Sequence, residues 1–148
     1  LIVEDDPEVR TYLADCLNEY SIFEASDGNQ GLKLVEQHMP DLLVSALMMP
    51  GLDGRQFVQA IRSNMMFSHI PFIMLTANVS EDAKLANLDE GVDDYLTKPF
   101  NKKELQLRVR NMLVAHKRFQ RVNQSHVLFE PAIEEVQSSE RQFLERLL

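Results

Sequence analysis

Two adjacent carboxylates, a hydroxyl and an ammonium recur in this sequence at one kind of place, the end of a short apolar run. Glu4 and Asp5 follow Leu1-Ile2-Val3, Thr76 follows Phe72-Ile73-Met74-Leu75, and Lys98 follows Tyr95-Leu96-Thr97. Side-by-side carboxylates repel unless a cation sits between them. A hard divalent ion such as Mg²⁺, which prefers oxygen ligands and keeps several waters, suits that pair. A hydroxyl and an ammonium opposite would clasp the free oxygens of a phosphoryl group, and catalysis of phosphoryl transfer is largely such positioning and charge neutralisation. One more apolar run, Leu42-Leu43-Val44-Ser45-Ala46, leads through Met48 into Met49-Pro50-Gly51 and Asp53-Gly54. Its tip, Ala46, offers only a methyl group. The set could handle a phosphoryl group but lacks an acceptor.

The elements that must position these groups alternate along the chain. The apolar runs are too short for helices and too continuous for half-exposed strands, which reads as strands buried on both faces. Asp6-Pro7 starts a helix, with a side-chain acceptor at the N-cap and a preset φ after it. Val9, Tyr12, Leu13, Cys16 and Leu17 form its apolar face. Ser21 to Ala25 is a second, more polar strand expected at an edge. Asp27-Gly28 turns into a helix ending near His38, with Leu32, Leu34 and Val35 inward. Gly54 to Arg62 is a helix burying Phe57, Val58 and Ile61, and Glu81 to Glu90 is another, stopped by Gly91 as the expected left-handed residue. Asn101 caps a last helix with Glu104 placed to answer it; Leu105, Val109, Met112 and Leu113 face the core, and the helix reaches Phe119. Five strand–helix alternations with short connections require right-handed crossovers and a parallel sheet. The expected fold is α/β, a flavodoxin-like doubly wound five-stranded parallel sheet of order 2-1-3-4-5 with helices on both faces. In such sheets ligands bind at the carboxyl ends of strands, where all of the groups named above fall.

Composition narrows the setting. The chain has 148 residues, 45% hydrophobic and 26% charged, enough for one packed domain with some length left over. No apolar run approaches the roughly 18 residues of a membrane span, so no membrane contact is expected of this segment. It starts in mid-strand without an initiator Met, which reads as a piece of a longer protein. The single cysteine, Cys16, excludes an internal disulfide and fits a reducing cytoplasm. A net charge of −8 argues against this segment gripping nucleic acid. Residues 102–121 nevertheless hold seven Lys or Arg against one Glu, read first as a solvated helix face. Met48-Met49 and Met65-Met66 read as packing residues. His38, His69, His116 and His126 form no cluster.

The pieces Ile2-Val3-Glu4-Asp5-Asp6-Pro7, Asp41 to Gly54, Leu75-Thr76-Ala77 and Gly91 to Phe100 together resemble the response-regulator receiver domain of two-component signalling. Each piece alone is weak; four in order, with the family's spacing, are specific, and they cover residues 1 to about 119. The resemblance implies that Glu4 and Asp5 form an acidic Mg²⁺ pocket, with the Met48 carbonyl as a further ligand. Thr76 would hydrogen-bond the phosphoryl group and Lys98 would pair with it. Tyr95 would swing with Thr76 to report phosphorylation, and Lys98-Pro99 would be a cis peptide. The partner implied is a histidine kinase or a phosphotransfer domain.

The departure falls at the centre, because the family carries its phosphoacceptor aspartate where this chain has Ala46. A form unable to accept phosphate, and so no enzyme by itself, is one expectation; the change is then engineered or recent. A natural pseudo-receiver that acts by protein interaction is the other. Residues 120–138, polar and broken by Pro131, read as a linker docking on the receiver, and the capping-box spacing of Ser139 to Gln142 as the start of another helix or output domain over 139–148, with a dimerising tail as the alternative. A hybrid histidine kinase with an AraC-type DNA-binding output, or a stand-alone transcriptional response regulator, would be the parent. It would be cytoplasmic or the cytoplasmic part of a membrane-anchored sensor. An acidic 81–90 helix against the basic 101–119 helix makes a two-fold homodimer a further expectation. A phosphatase-like hydrolase needs an Asp-x-Asp after the first strand, and Glu4-Asp5-Asp6 has other spacing. A flavin module needs a Ser/Thr/Gly-rich phosphate loop, and none follows any strand.

Overall fold

A computed structural model describes residues 1–77 and 91–129. In chain order the elements are β1 (Ile2–Val3), α1 (Pro7–Cys16), β2 (Glu24–Ala25), α2 (Gly28–His38) and β3 (Leu43–Ala46), followed by α3 (Gly54–Ser63), β4 (Phe72–Thr76), β5 (Asp94–Thr97) and α4 (Lys102–Phe129). The five strands form one parallel sheet of order β2-β1-β3-β4-β5, the expected flavodoxin-like arrangement. The chain steps outward from β1 to β2 and then back across to β3. Right-handed crossovers therefore place α1 on one face and α2 and α3 on the other. The expected 81–90 helix lies outside the described residues. Gly91, which follows it, has φ +87.

The core explains why the runs were continuous. Leu43, Phe72, Ile73, Met74 and Leu75 are buried on β3 and β4, which lie inside the sheet with both faces covered. Phe57 of α3 packs on Phe72, ring centroids 5.6 Å apart. The helices begin where side chains take up free backbone N–H groups. Asp6 Oδ1 accepts from Glu8 N at 2.9 Å, Asp27 Oδ1 accepts from Gln30 N, and Asp53 and Gln56 form a reciprocal capping box.

Several expectations need correction. Only Glu24–Ala25 of the Ser21–Ala25 run joins the ladder, because its partner β1 offers two residues for pairing. Tyr12, placed on the core face of α1, is exposed; its ring lies beside Phe100, centroids 6.2 Å apart, at the margin of that face. Met65 and Met66 are 92% and 67% exposed and Met48 is exposed too; only Met49 of these four packs in the core. Met65 and Met66 sit in the turn after α3, where Asn64 Oδ1 accepts from Met66 N and the short hydrogen-bonded loop projects their side chains outward. Asn101 Oδ1 caps Glu104 N at 2.6 Å as expected, but the Glu104 carboxylate goes to Arg108, one turn on. Helix α4 runs ten residues past Phe119, so 120–129, expected as linker, is helical. The chain divides into two compact units, Leu1–Arg110 and Asn111–Leu148. The 130–138 and 139–148 segments lie outside the described residues.

Candidate functional site

Register alone collects the candidate residues. Val3 pairs with Ser45 across β1 and β3, so the next residues, Glu4 and Ala46, come level. Ala46 pairs with Leu75, and Thr76 with Thr97, so Thr76 and Lys98 stand one step beyond at the same edge. Glu4, Ala46, Thr76 and Lys98 thus lie at the carboxyl ends of four adjacent strands.

Glu4 is the electrostatic centre of this edge. It is 2% exposed. Its Oε1 takes the Lys98 Nζ at 3.2 Å, while Oε2 is buried with no hydrogen-bond partner among the described residues. Burial raises the Glu4 pKa above the ordinary glutamate range, the Lys98 ammonium opposes that rise, and Asp5 and Asp6 add to it. Lys98 is set by β5, its N–H donating to the Thr76 carbonyl at 2.8 Å, and its peptide to Pro99 is cis, as the resemblance implied. Thr76 is fully buried, its Oγ1 3.5 Å from Thr97 Oγ1. Tyr95 lies two residues before Thr97, level with Met74.

Ala46 fills its place with little more than backbone. It is buried, and its carbonyl accepts from Ser45 Oγ at 2.9 Å. The loop beyond folds back over it: Leu47 N donates to the Leu75 carbonyl at 3.0 Å, and Gly54 N to the Leu47 carbonyl at 2.8 Å. A Cβ at Gly54 would collide with the Ala46 carbonyl oxygen, so only glycine allows that return.

The donors present suit a hard cation. The orphaned Glu4 Oε2 is a buried anionic oxygen of the kind a divalent ion takes up, and Asp5 next to it is exposed. No group of three His, Cys, Asp or Glu residues that could hold a metal occurs among the described residues. Ala46, level with Glu4, contributes no side-chain oxygen to this edge.

Sequence reasoning missed Arg10, whose Nη1 donates to the Glu4 carbonyl at 2.8 Å. Its Nε lies 3.6 Å from Glu24 Oε1, and Arg10, Glu24, Ala25, Ser26 and Gln30 line an open cleft of about 300 Å³ beside the site. Nothing in the spacing of Arg10 distinguishes it from a solvated helix charge. Arg62 and Asp93, at the opposite end of the sheet, were missed likewise.

Comparison with known proteins agrees with this geometry. Residues 1–110 match the response regulator receiver domain family. The sensor histidine kinase TmoS of Ectopseudomonas mendocina is 42% identical over 114 residues, 76% of this chain but 12% of that protein. The transcriptional regulatory protein BaeR of Escherichia coli is 41% identical, over 76% of this chain and 47% of its own length. The chain thus spans a small part of its kinase relatives and under half of that regulator. A putative response regulator from Chloroflexus aurantiacus superposes with a TM-score of 0.72 at 35% identity, covering 76% of this chain and 94% of that one. The chemotaxis response regulator CheY4 of Vibrio cholerae does so with a TM-score of 0.69 at 27% identity, covering 75% and 94%. Matched over residues 1–110 and built on the same strand order, the chain belongs to the response regulator receiver domain family of two-component systems.

Proposed function

We propose that this chain is a receiver module that cannot accept a phosphoryl group, because Ala46 stands where the acceptor carboxylate would be. The observation carrying this reading is the position of Ala46, level with Glu4 on one side and one step from Thr76 on the other. Around it the remaining parts have clear tasks. Glu4, Asp5 and the Met48 carbonyl would hold Mg²⁺, which supplies charge neutralisation for phosphoryl oxygens when bound. In a form that carries an acceptor at position 46, Thr76 would donate a hydrogen bond to one phosphoryl oxygen, Lys98 would pair with another, and Tyr95 would follow Thr76. The segment performs no catalysis of its own; a histidine kinase or phosphotransfer domain is its partner.

The test compares this chain with Ala46→Asp, each given acetyl phosphate and Mg²⁺, by intact mass. In the variant the new carboxylate attacks phosphorus, the bond to acetate breaks, and one phosphoryl adduct appears. The parent chain stays unmodified. An adduct on the parent, or none on the variant, sinks this reading. The second outcome favours a pseudo-receiver acting by protein interaction.

The wider protein is a cytoplasmic signalling chain, or the cytoplasmic part of a membrane-anchored hybrid histidine kinase, that regulates transcription. Its output is an AraC-type DNA-binding domain or that of a stand-alone response regulator. A parent chain without a helix-turn-helix segment after residue 148 would remove this part. No helix among the described residues is long and apolar enough to cross a membrane. A homodimer through the 81–90 and 101–119 segments would rely first on Lys102 and Lys103, since Arg108 is engaged by Asp94 and Glu104 and Arg110 meets Tyr20. Self-association that is indifferent to salt would count against it.

A further inference from the structure

Glu4 is held by its backbone as well as by its side chain. Its N–H donates to the Ala25 carbonyl at 3.0 Å, and its carbonyl accepts from Arg10 Nη1 at 2.8 Å. The same guanidinium stands 3.6 Å from Glu24 Oε1. One side chain of α1 therefore ties the tip of β1 to the edge strand β2. The ladder pairs Ile2 and Val3 with β2 on one side and β3 on the other, and Glu4 lies one residue past both pairings.

We infer that Arg10 is a positioning residue for the acidic pocket, fixing through the Glu4 carbonyl the directions in which Glu4 and Asp5 present their carboxylates to a divalent cation. This rests on the reading of Glu4 and Asp5 as a cation-binding pair. The Glu4 carbonyl belongs to the peptide that joins the two residues, so turning that peptide plane moves both side chains. Without Arg10, a cation would itself have to order the strand end, and affinity falls when a site must be organised by its ligand. Arg10 acts by geometry more than by its field. A bare guanidinium this near would repel a cation, and Glu24 offsets that charge.

The test measures Mn²⁺ binding to the whole 148-residue chain, and to its Ala46→Asp form, by electron paramagnetic resonance. The informative variant is R10Q/E24Q, which keeps the net charge of the pair. Its expected Mn²⁺ affinity is about 10-fold weaker, the low end of losses seen when a supporting residue behind a metal ligand is removed. Arg10→Lys keeps a cation with a shorter reach, and is expected to bind between the parent and the double variant. It also covers a double variant that fails to fold. A merely structural role would lower Tm and leave the Mn²⁺ Kd alone. A Kd unchanged within error, well below melting, in whichever of these variants folds would overturn the inference. Should neither the Ala46 chain nor Ala46→Asp bind Mn²⁺ at all, the acidic-pair reading itself fails, and this inference with it.

Discussion

The two ends of the sheet each hold a charged group in a confined place, and they treat it differently. At the amino end, Arg62 reaches from the last turn of α3 and satisfies four acceptors. Its Nε donates to the Gly91 carbonyl at 2.8 Å, Nη1 to the carbonyls of Ser68 and Ile70, and Nη2 to Asp93 Oδ2 at 2.8 Å. Asp93 Oδ2 also accepts from Phe72 N, so the first residue of β4 joins the network. At the carboxyl end, Glu4 has one ammonium partner and one buried oxygen left over. A native fold leaves few buried polar atoms unpaired, and those few call for an explanation. The Arg62 end is finished as structure. The Glu4 end keeps one buried carboxylate oxygen unpaired among the described residues.

That contrast can be broken by mutation. The largest effect is expected from Arg62→Ala, which strands three carbonyls and a carboxylate together. A loss of about 2–4 kcal/mol is expected, below the sum of four charged hydrogen bonds because Asp93 is partly exposed. Urea unfolding would measure it, and Mn²⁺ binding at the far end of the sheet should stay unchanged. If metal binding fell as far as stability, the two ends would not be separable.

A smaller effect is expected at the other end. Without metal, Ala46→Asp adds a third carboxylate beside Glu4 and Asp5 and should lower stability by about 1 kcal/mol, or about 3 °C in Tm. Mg²⁺ should restore more stability to that variant than to the parent. Equal melting of the two forms with and without Mg²⁺ would show that Ala46 does not share a charge environment with Glu4.

The smallest effect concerns pH. Burial raises the Glu4 pKa in the folded state, so the folded chain holds that proton more firmly than the unfolded one. Stability from this group is present at low pH. It is lost as pH rises from the ordinary glutamate range through the raised folded value. Glu4→Gln cannot titrate, so its stability should gain on the parent over that window in chelated buffer. A difference between the two that is flat with pH would mean that Lys98 fully offsets the cost of burial.

Much of this was legible in the sequence, because the signals were local or periodic. The continuous runs of β3 and β4 announced strands buried on both faces. Asp6-Pro7, Asp27 and Asn101 marked helix starts by their own chemistry, and the strand-end residues followed from the doubly wound order. The rest depended on distance along the chain. Arg62 meets Asp93 31 residues away, and Lys98 meets Glu4 94 residues away; spacing encodes neither. Met65 and Met66 misled because composition cannot tell a methionine in a tight turn from one in a core. The length of α4 was underestimated because a polar stretch such as Gln120 to Ser125 carries no apolar stripe to announce a helix, yet it continues the helix begun at Lys102.

The way Gly54 closes over β3 bears on what can stand at its tip. Leu47 N on the Leu75 carbonyl, Gly54 N on the Leu47 carbonyl, and the close approach of Gly54 to the Ala46 carbonyl are all main-chain contacts. None of them consults the side chain at position 46. The socket is therefore built independently of its plug: exchanging the group there alters charge and reactivity while the surrounding loop keeps its shape. The course of the loop thus belongs to the main chain, and the residue at position 46 decides only which chemical group the strand tip offers.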